Sequence, residues 1–225
     1  MAERSKYRAA MDTIVAAVTP SMKQHGFRKR GSTFNRSREA GAIAGLNFQM
    51  GRFDPPGTIE IPGFRENLYG RFTVNVGVAF EEMWAIDLAT EARPFPPFVN
   101  EYNCHLRSRV GRLTGTKEDL WWSLSHDPRR VAEEINRLID RVAIPWLAER
   151  DMRRSVLSLW ERGKTISEEP RLPLVVAVLY LHLGETAKGR ATFVDYYKSK
   201  HHPQHARWLA GIAPRLGIED LPPPT

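Results

Sequence analysis

Apolar side chains alternate with small or polar ones from Phe72 to Phe80, and this pattern restricts the fold more than any other feature. The segment reads Phe-Thr-Val-Asn-Val-Gly-Val-Ala-Phe, so an apolar residue stands at every second position. Such alternation is typical of a β-strand that is buried on one face. We therefore expect a strand over residues 71–80, in a sheet with one strongly apolar side.

Two segments upstream also have the composition of strands. Residues 33–38 and 42–52 are predicted to form a hairpin, because a Glu-Ala-Gly turn separates them. Residues 105–113 and 119–124 are weaker candidates for a fourth and a fifth strand. The segment 54–67 contains several Pro and Gly residues and is predicted to be a long loop.

Helical patterns flank these strands. Apolar spacing predicts an amphipathic helix over residues 4–25, with a break or kink near Pro20 and with Gly26 just after its end. A second long helix is predicted to start after Asp127, a favourable N-cap, with Pro128 at the first helical position. Together these patterns predict an α+β fold, in which an antiparallel β-sheet meander is packed by long helices on one side.

The pattern is helical throughout after about residue 150. Apolar residues at helical spacing predict helices within residues 172–183, 185–198 and 203–216. We therefore expect an α+β domain over residues 1–149. An all-helical subdomain over residues 150–225, ending in a Pro-rich tail, is expected to follow it.

The predicted strands carry amides and hydroxyls opposite their apolar residues. Amides offer both hydrogen-bond donors and acceptors, and Gly77 on the same side leaves room for an approaching ligand or backbone. A solvated sheet face is the alternative, although such a face more often carries Lys, Glu and Thr. The candidate binding face, beside which Thr33 also lies, comprises Asn35, Asn47, Gln49, Thr73 and Asn75.

Positive charge is concentrated in the first quarter of the chain. Residues 1–53 contain ten Lys or Arg and three Asp or Glu, which gives +7, the net charge of the whole chain. Such an excess suits an acidic protein, a nucleic acid or an anionic ligand, and it is also common on solvated surfaces. The candidate basic rim of the polar face comprises Arg28, Lys29, Arg30, Arg36, Arg71, Arg107 and Arg109.

Two consecutive tryptophans stand in the weakest candidate strand. Neighbouring residues of a strand point to opposite faces, so only one of Trp121 and Trp122 can enter the core. The other needs a different cover, from the C-terminal helices or from a partner.

Patterns that would identify a reaction are missing from the sequence. Residues 111–117 do not form a phosphate-binding loop, because their glycines are too close together and the lysine does not follow the second glycine. The histidines within 201–205 have no nearby cysteine or acidic cluster to complete a zinc site. Cys104 and His105 are adjacent but lack the distant partners of a nucleophile. We therefore predict no catalytic residue, no metal and no cofactor.

Cytoplasmic residence is the natural expectation. Residues 1–6 are charged and are not followed by the apolar core of a signal peptide. The most apolar run, residues 172–183, contains Pro and His and is too short to span a bilayer. Because no apolar run is long enough to span a bilayer, no membrane partner is expected. A single cysteine allows no internal disulfide, so no oxidising compartment is needed.

Short motifs follow one another in a specific order along the first two thirds of the chain. They are Gly26-Phe27-Arg28-Lys29, Thr33-Phe34, Asn47-Phe48-Gln49 and Phe72-Thr73-Val74-Asn75-Val76-Gly77, with Cys104–Gly111 and Asp119–Trp122 further on. In this combination the chain resembles the bacterial family called domain of unknown function 4304. The resemblance covers about residues 4–145 and implies no activity, cofactor or catalytic residue.

Three hypotheses about function remain open at this point. The first is a cytoplasmic, non-enzymatic binding module that holds a protein or peptide partner on the polar sheet face. The second is a nucleic-acid or anionic-ligand binder that uses residues 28–30 and 107–112, and steep salt dependence would identify it. The third is an undescribed enzyme in a groove over Asn47, Gln49 and Asn75, which would need a deep pocket with perturbed titratable groups.

Overall fold

The fold is described from a computed structural model, which covers residues 2–51, 59, 61, 67–87, 93–116, 119–199 and 202–221, with side chains from residue 6 onward. The predicted loop over 54–67 and the end of the Pro-rich tail lie largely outside the described residues. Within those ranges, no helix combines the length and the apolar character that crossing a lipid bilayer requires.

An antiparallel sheet lies at the centre of the described part of the fold. Strands β1 to β5 are neighbours in chain order, which makes a meander, and β6 pairs with β4 beyond the end of β5. The predicted α+β class with an antiparallel sheet is therefore confirmed. The strands are β1 (Arg28–Arg30), β2 (Thr33–Glu39), β3 (Ala42–Met50), β4 (Arg71–Phe80), β5 (Leu106–Arg109) and β6 (Trp122–Ser123).

Helices precede and follow the sheet. In α3 the carboxylate of Asp127 accepts a hydrogen bond from the Arg129 amide at 3.0 Å, which confirms the predicted N-cap. A π-helical turn, Ile139–Ala143, joins α3 to α4. The helices are α1 (Ala2–Gln24), α2 (Glu81–Trp84), α3 (Pro128–Leu138), α4 (Ile144–Ala148), α5 (Arg153–Glu161), α6 (Leu172–His182), α7 (Thr186–Lys198) and α8 (Pro203–Ile212).

Helix α1 is continuous, so the predicted break near Pro20 is wrong. The proline leaves the carbonyl of Ala16 without its amide donor, and the buried Val18 and Met22 hold both sides of it on the core. Gly26 ends the helix as predicted. It has a φ of +80°, and the amide of Phe27 after it donates to the Met22 carbonyl at 3.0 Å.

One apolar core lies between the sheet and the helices. Phe34 and Val76 from the sheet are fully buried in the same cluster as Ile14 from α1. Leu174 from α6 and Phe193 from α7 belong to this cluster as well. The core therefore continues across the boundary at residues 149 and 150, and the division into two domains stays a prediction.

A buried arginine ties α5 to the sheet. Arg153 is 3% exposed, and its Nε and Nη2 donate to the two carboxylate oxygens of Glu82 at 2.8 Å each. Its Nη1 donates to the Ala40 carbonyl at 2.9 Å, and its backbone amide donates to Glu39 at 2.8 Å. Burial disfavours the guanidinium charge, but the hydrogen bonds and charges of both glutamates outweigh it and raise the pKa of Arg153.

A buried aspartate adds a second tie beside this arginine. Asp151 is 1% exposed and accepts from Arg36 at 2.7 Å and from Arg38 at 3.3 Å. Both arginines belong to β2, so the residues after α4 hold this strand and the turn that follows it. We call Arg36, Glu39, Glu82, Asp151 and Arg153 the ionic clasp.

Candidate functional site

The face of the sheet away from α1 carries polar residues in rows that cross the strands. Residues that oppose each other in neighbouring antiparallel strands share one face, so the register defines these rows. Gln49 stands opposite Thr73 in a short third row. The two long rows are Arg30–Thr33–Asn47–Asn75–Arg109 and Arg28–Asn35–Gly45–Gly77–Arg107.

The structure thus brings all five residues of the candidate binding face to one side of the sheet, but one end of that side is covered. Asn35 is 3% exposed, and its Oδ1 accepts from the amide of Val99 at 2.6 Å. A Cβ on Gly77 would stand 2.6 Å from the Cβ of Cys104, so this glycine admits the chain's own backbone. Asn35 is therefore an internal hydrogen-bonding residue, and the expectation that it lies on an accessible surface is corrected.

The covering segment, residues 93–105, contains the adjacent cysteine and histidine. Burial, together with the charge of Glu101, raises the pKa of the Cys104 thiol, so this group stays protonated and is a poor nucleophile. The Nδ1 atom of His105 accepts from the Phe80 amide at 3.0 Å, and burial lowers the pKa of the ring to about 4. Both side chains serve the packing of this segment.

The other end of the polar side holds two amide pairs. Asn75 Nδ2 donates to Gln49 Oε1 at 2.7 Å, and Asn47 Nδ2 donates to the Thr33 hydroxyl at 2.8 Å. Gln49 is exposed and Asn47 is half-buried, whereas Thr33 and Asn75 are nearly covered. We call these four residues and Thr73 the open polar patch.

The Gln49–Asn75 pair keeps unused hydrogen-bonding capacity. Each side-chain amide has one carbonyl oxygen and one NH₂ group, and their mutual bond uses an oxygen of one and a hydrogen of the other. If both amides were rotated by 180°, the pair would again leave one oxygen and one NH₂ group available. The pair therefore offers a donor and an acceptor side by side in either orientation.

Thr73 lies beside this pair with an unused hydroxyl. The residue is 0% exposed, and its Oγ1 has no hydrogen-bond partner among the described residues. Buried hydroxyl groups are nearly always bonded, and an unpartnered one costs about 1–3 kcal/mol. The missing bond therefore lowers stability, and the buried position of the hydroxyl closes it to an outside partner.

A cavity of about 300 Å³ opens next to Asn75, at the β5 edge of the sheet. Its charges are balanced in pairs. Arg107 contacts Glu101 at 2.7 Å and Arg112 contacts Glu168 at 2.8 Å. The charged residues that line it are Glu101, Arg107, Arg109, Arg112, Glu168 and Glu169.

Arg109 and Trp121 close this edge of the site. The guanidinium of Arg109 pairs with Asp119 and lies over the Trp121 ring, 5.4 Å from its centroid. Trp122 turns the other way and stacks near Phe72 in the core, with ring centroids 5.7 Å apart. The two consecutive tryptophans thus point to opposite sides, as their spacing predicts.

Two members of the predicted basic rim lie on the helix side of the sheet. Lys29 lies between Arg28 and Arg30 in β1 and lines a groove against α1. Arg36 belongs to the ionic clasp, and its guanidinium lies 4.7 Å from the Phe27 ring centroid. Because strand residues alternate in direction, neither side chain borders the open polar patch, and the rim is corrected accordingly.

Three other arginines of the rim do lie on the polar side. Arg28 and Arg30 begin the two long rows, and Arg71, two residues before Thr73 in β4, shares its face. All three are exposed, and none of them forms an ion pair within the described part of the chain.

Sequence reasoning missed several residues that surround the cavity. Glu101 follows the covering segment's Pro-rich stretch, and Glu168 and Glu169 come from a loop before α6. No local pattern marks them, because they meet the sheet only through the tertiary fold. In the ranges that the structure describes, no group of three or more His, Cys, Asp or Glu side chains is arranged to hold a metal ion.

The fold and this site define an α+β protein with a polar sheet face, covered at one end and open at the other. The chain belongs to the family described as a domain of unknown function (DUF4304), whose model matches residues 18–149, more than half of the chain. The match includes β1 to β6 and ends before α5, so the resemblance seen in the motifs is confirmed. No curated protein and no solved structure matches this chain.

Proposed function

We propose that this protein is a non-enzymatic module that binds an extended polypeptide segment across the open polar patch. The observation that carries the proposal is the Gln49–Asn75 pair, in which Gln49 is exposed and which leaves one donor and one acceptor unused. A peptide group has the same two needs, since its N–H donates and its carbonyl accepts. The patch is therefore chemically complementary to main chain.

Phosphate groups fit the same patch less well. A phosphate offers only acceptor oxygens, and it would meet a free amide oxygen at the Gln49–Asn75 pair. The arginines at the β5 edge are already neutralised, because Arg107 pairs with Glu101 and Arg109 pairs with Asp119. An anion there would also approach Glu101 and Asp119, whose negative charges would oppose it.

The cavity beside Asn75 supports binding rather than catalysis. At about 300 Å³ it is at the lower limit of ligand pockets and has room for one side chain of a partner. The protein's cysteine, Cys104, and the neighbouring His105 are buried in the covering segment and do not line this cavity. Neither of these two side chains can therefore act as a nucleophile or a base in this cavity.

A phage library of random dodecapeptides, selected against the full chain, tests this proposal. Selected sequences are made synthetically and titrated by fluorescence anisotropy. We expect Gln49→Ala to weaken binding about fivefold to tenfold, the effect of losing one or two hydrogen bonds. Gln24→Ala removes an exposed glutamine at the end of α1 and should leave affinity unchanged. The proposal fails if no peptide binds, or if Gln49→Ala has no more effect than Gln24→Ala.

A second candidate is an anionic ligand or nucleic acid held by Arg28, Arg30 and Arg71. These arginines favour it because they are exposed and lack ion pairs in the described ranges. A single-stranded oligonucleotide of about 20 bases at low salt is the appropriate probe. This second candidate would replace the first if the oligonucleotide binds more tightly than any selected peptide and if its affinity falls steeply towards physiological salt.

A further inference from the structure

The open polar patch has an uneven distribution of charge along its rows. At the β1 edge, Arg28 and Arg30 are exposed, and within the described residues no carboxylate lies within ion-pair distance of either. At the β5 edge, the arginines that end the same rows are paired with Glu101 and Asp119. One side of the patch is therefore uncompensated and positive, and the other is balanced.

We propose that the partner segment is acidic where it passes β1 and uncharged where it passes β5. This inference rests on the proposed peptide-binding function and specifies the partner for that same site. Asp or Glu side chains would meet Arg28 and Arg30 without displacing an existing partner. At the β5 edge, a charge of either sign would compete with a pair that already exists, so neutral polar or small side chains fit best there.

The spacing of the strands sets where the acidic residues belong. Neighbouring strands lie about 4.8 Å apart, so Arg30 is about 10 Å from Asn47 and about 14 Å from Asn75, measured between backbones along the row. An extended peptide advances about 3.4 Å per residue. Its acidic residues should therefore lie about three to four positions from the residue that occupies the Gln49–Asn75 pair.

A nucleic acid would match this distribution of charge poorly. Its phosphates repeat along the whole strand, so those near β5 would approach the carboxylates of Glu101 and Glu168. Sequence-tolerant binding of single strands also uses open aromatic rings for stacking. Trp121 on this side is already covered by the guanidinium of Arg109.

The alternation of β1 provides a matched pair of variants for the test. Arg30→Glu and Lys29→Glu change the net charge equally, at neighbouring exposed positions of one strand, but on opposite faces. Two probes are used with each variant. One is a selected dodecapeptide that contains Asp or Glu, and the other is the same peptide with those residues replaced by Asn or Gln.

We expect Arg30→Glu to weaken the acidic dodecapeptide about fivefold or more and to change its amide version less than twofold. Lys29→Glu should change both peptides less than twofold. Equal losses from the two variants would show a general charge effect and would overturn the inference. Equal affinity of the acidic and amide peptides for the unaltered protein would also overturn it.

Failure of this inference can be told apart from failure of the proposed function. If Gln49→Ala weakens both peptides while Arg30→Glu affects neither, the peptide site stands and the acidic partner is wrong. If Gln49→Ala affects neither peptide, the peptide site itself is wrong. If a 20-base oligonucleotide displaces the acidic peptide and loses its own binding in Arg30→Glu, a nucleic acid replaces the acidic peptide as the partner.

Discussion

The ionic clasp and the open polar patch both contain buried polar groups, and they differ in whether those groups find hydrogen-bond partners within the chain. In the clasp, both oxygens of Asp151 accept hydrogen bonds, and the guanidinium of Arg153 donates from all three nitrogens. In the patch, the Thr73 hydroxyl has no partner among the described residues, and the Gln49–Asn75 pair leaves one amide oxygen and one NH₂ group unused.

This difference separates the structural role of the clasp from the binding role that we propose for the patch. A buried polar group that finds its partners within the chain stabilises one arrangement of that chain. A buried polar group without partners lowers stability, and it can recover that loss only when something else supplies the bond. The contrast is one of degree, because one nitrogen of the clasp, Arg36 Nε, also lacks a partner in the described ranges.

The strongest test of the clasp removes its central charge. Arg153→Met should lower the free energy of unfolding by about 3–5 kcal/mol, because Glu82 stays largely buried without its partner. Urea denaturation measures this change. Arg154→Met is the matched control, since Arg154 is largely exposed where it pairs with Glu185, and it should cost less than about 1 kcal/mol. Similar losses in both variants would contradict the structural role of the clasp.

A second test concerns His105, which anchors the covering segment between these two regions. Its pKa falls from 6.5 to about 4 on folding, so above pH 6.5 the ring is neutral in both states and adds no pH dependence. Between pH 6.5 and 4 only the unfolded chain takes up the proton. Stability should therefore fall over this interval, by about 3 kcal/mol in total, and the loss should level off below pH 4.

The control for this pH dependence is His105→Asn. The asparagine oxygen can accept from the Phe80 amide as Nδ1 does, but it does not titrate. The difference in unfolding free energy between the two proteins, followed by urea titration at several pH values, should show the fall between pH 6.5 and 4. A constant difference would mean that the ring is not neutral and buried as described.

The smallest expected effect distinguishes the two threonines of the patch. Thr73→Val removes a hydroxyl that has no partner and should raise the free energy of unfolding by about 1 kcal/mol, with no change in peptide binding because the residue is fully buried. Thr33→Val removes the acceptor of the Asn47 amide and should lower stability by a similar amount. Changes of the same sign in thermal or urea unfolding would contradict the contrast between satisfied and unsatisfied groups.

The sequence was sufficient for features that depend on local alternation. The hairpin of β2 and β3, the strand β4 and the common side of Asn47, Gln49 and Asn75 follow from the period of two along each strand. The start of the second long helix followed from the capping preference of Asp127 and from Pro128 at the first helical position. In these places, local pattern and tertiary fold agree.

Features that join distant segments could not be predicted. Arg153 meets Glu82 across 71 positions, and Asn35 is covered by a segment that begins about 60 residues later. The strand β1 was missed because Arg-Lys-Arg has no apolar alternation, and all three residues are exposed. Alternation alone places Arg36 on the opposite face from Asn35, but its partner Asp151 lies beyond the residues that the family model matches.

The short strand β1 makes the charge that this surface presents sensitive to length as well as to composition. A two-residue turn, Gly31 and Ser32, joins β1 to β2 and fixes which side chain points each way. One residue inserted there would reverse that order, turning Lys29 onto the patch and moving Arg28 and Arg30 towards α1. A protein of almost identical composition would then present one ammonium group in place of two guanidinium groups. It would lose the planar, two-pronged donor geometry with which guanidinium groups bind carboxylates.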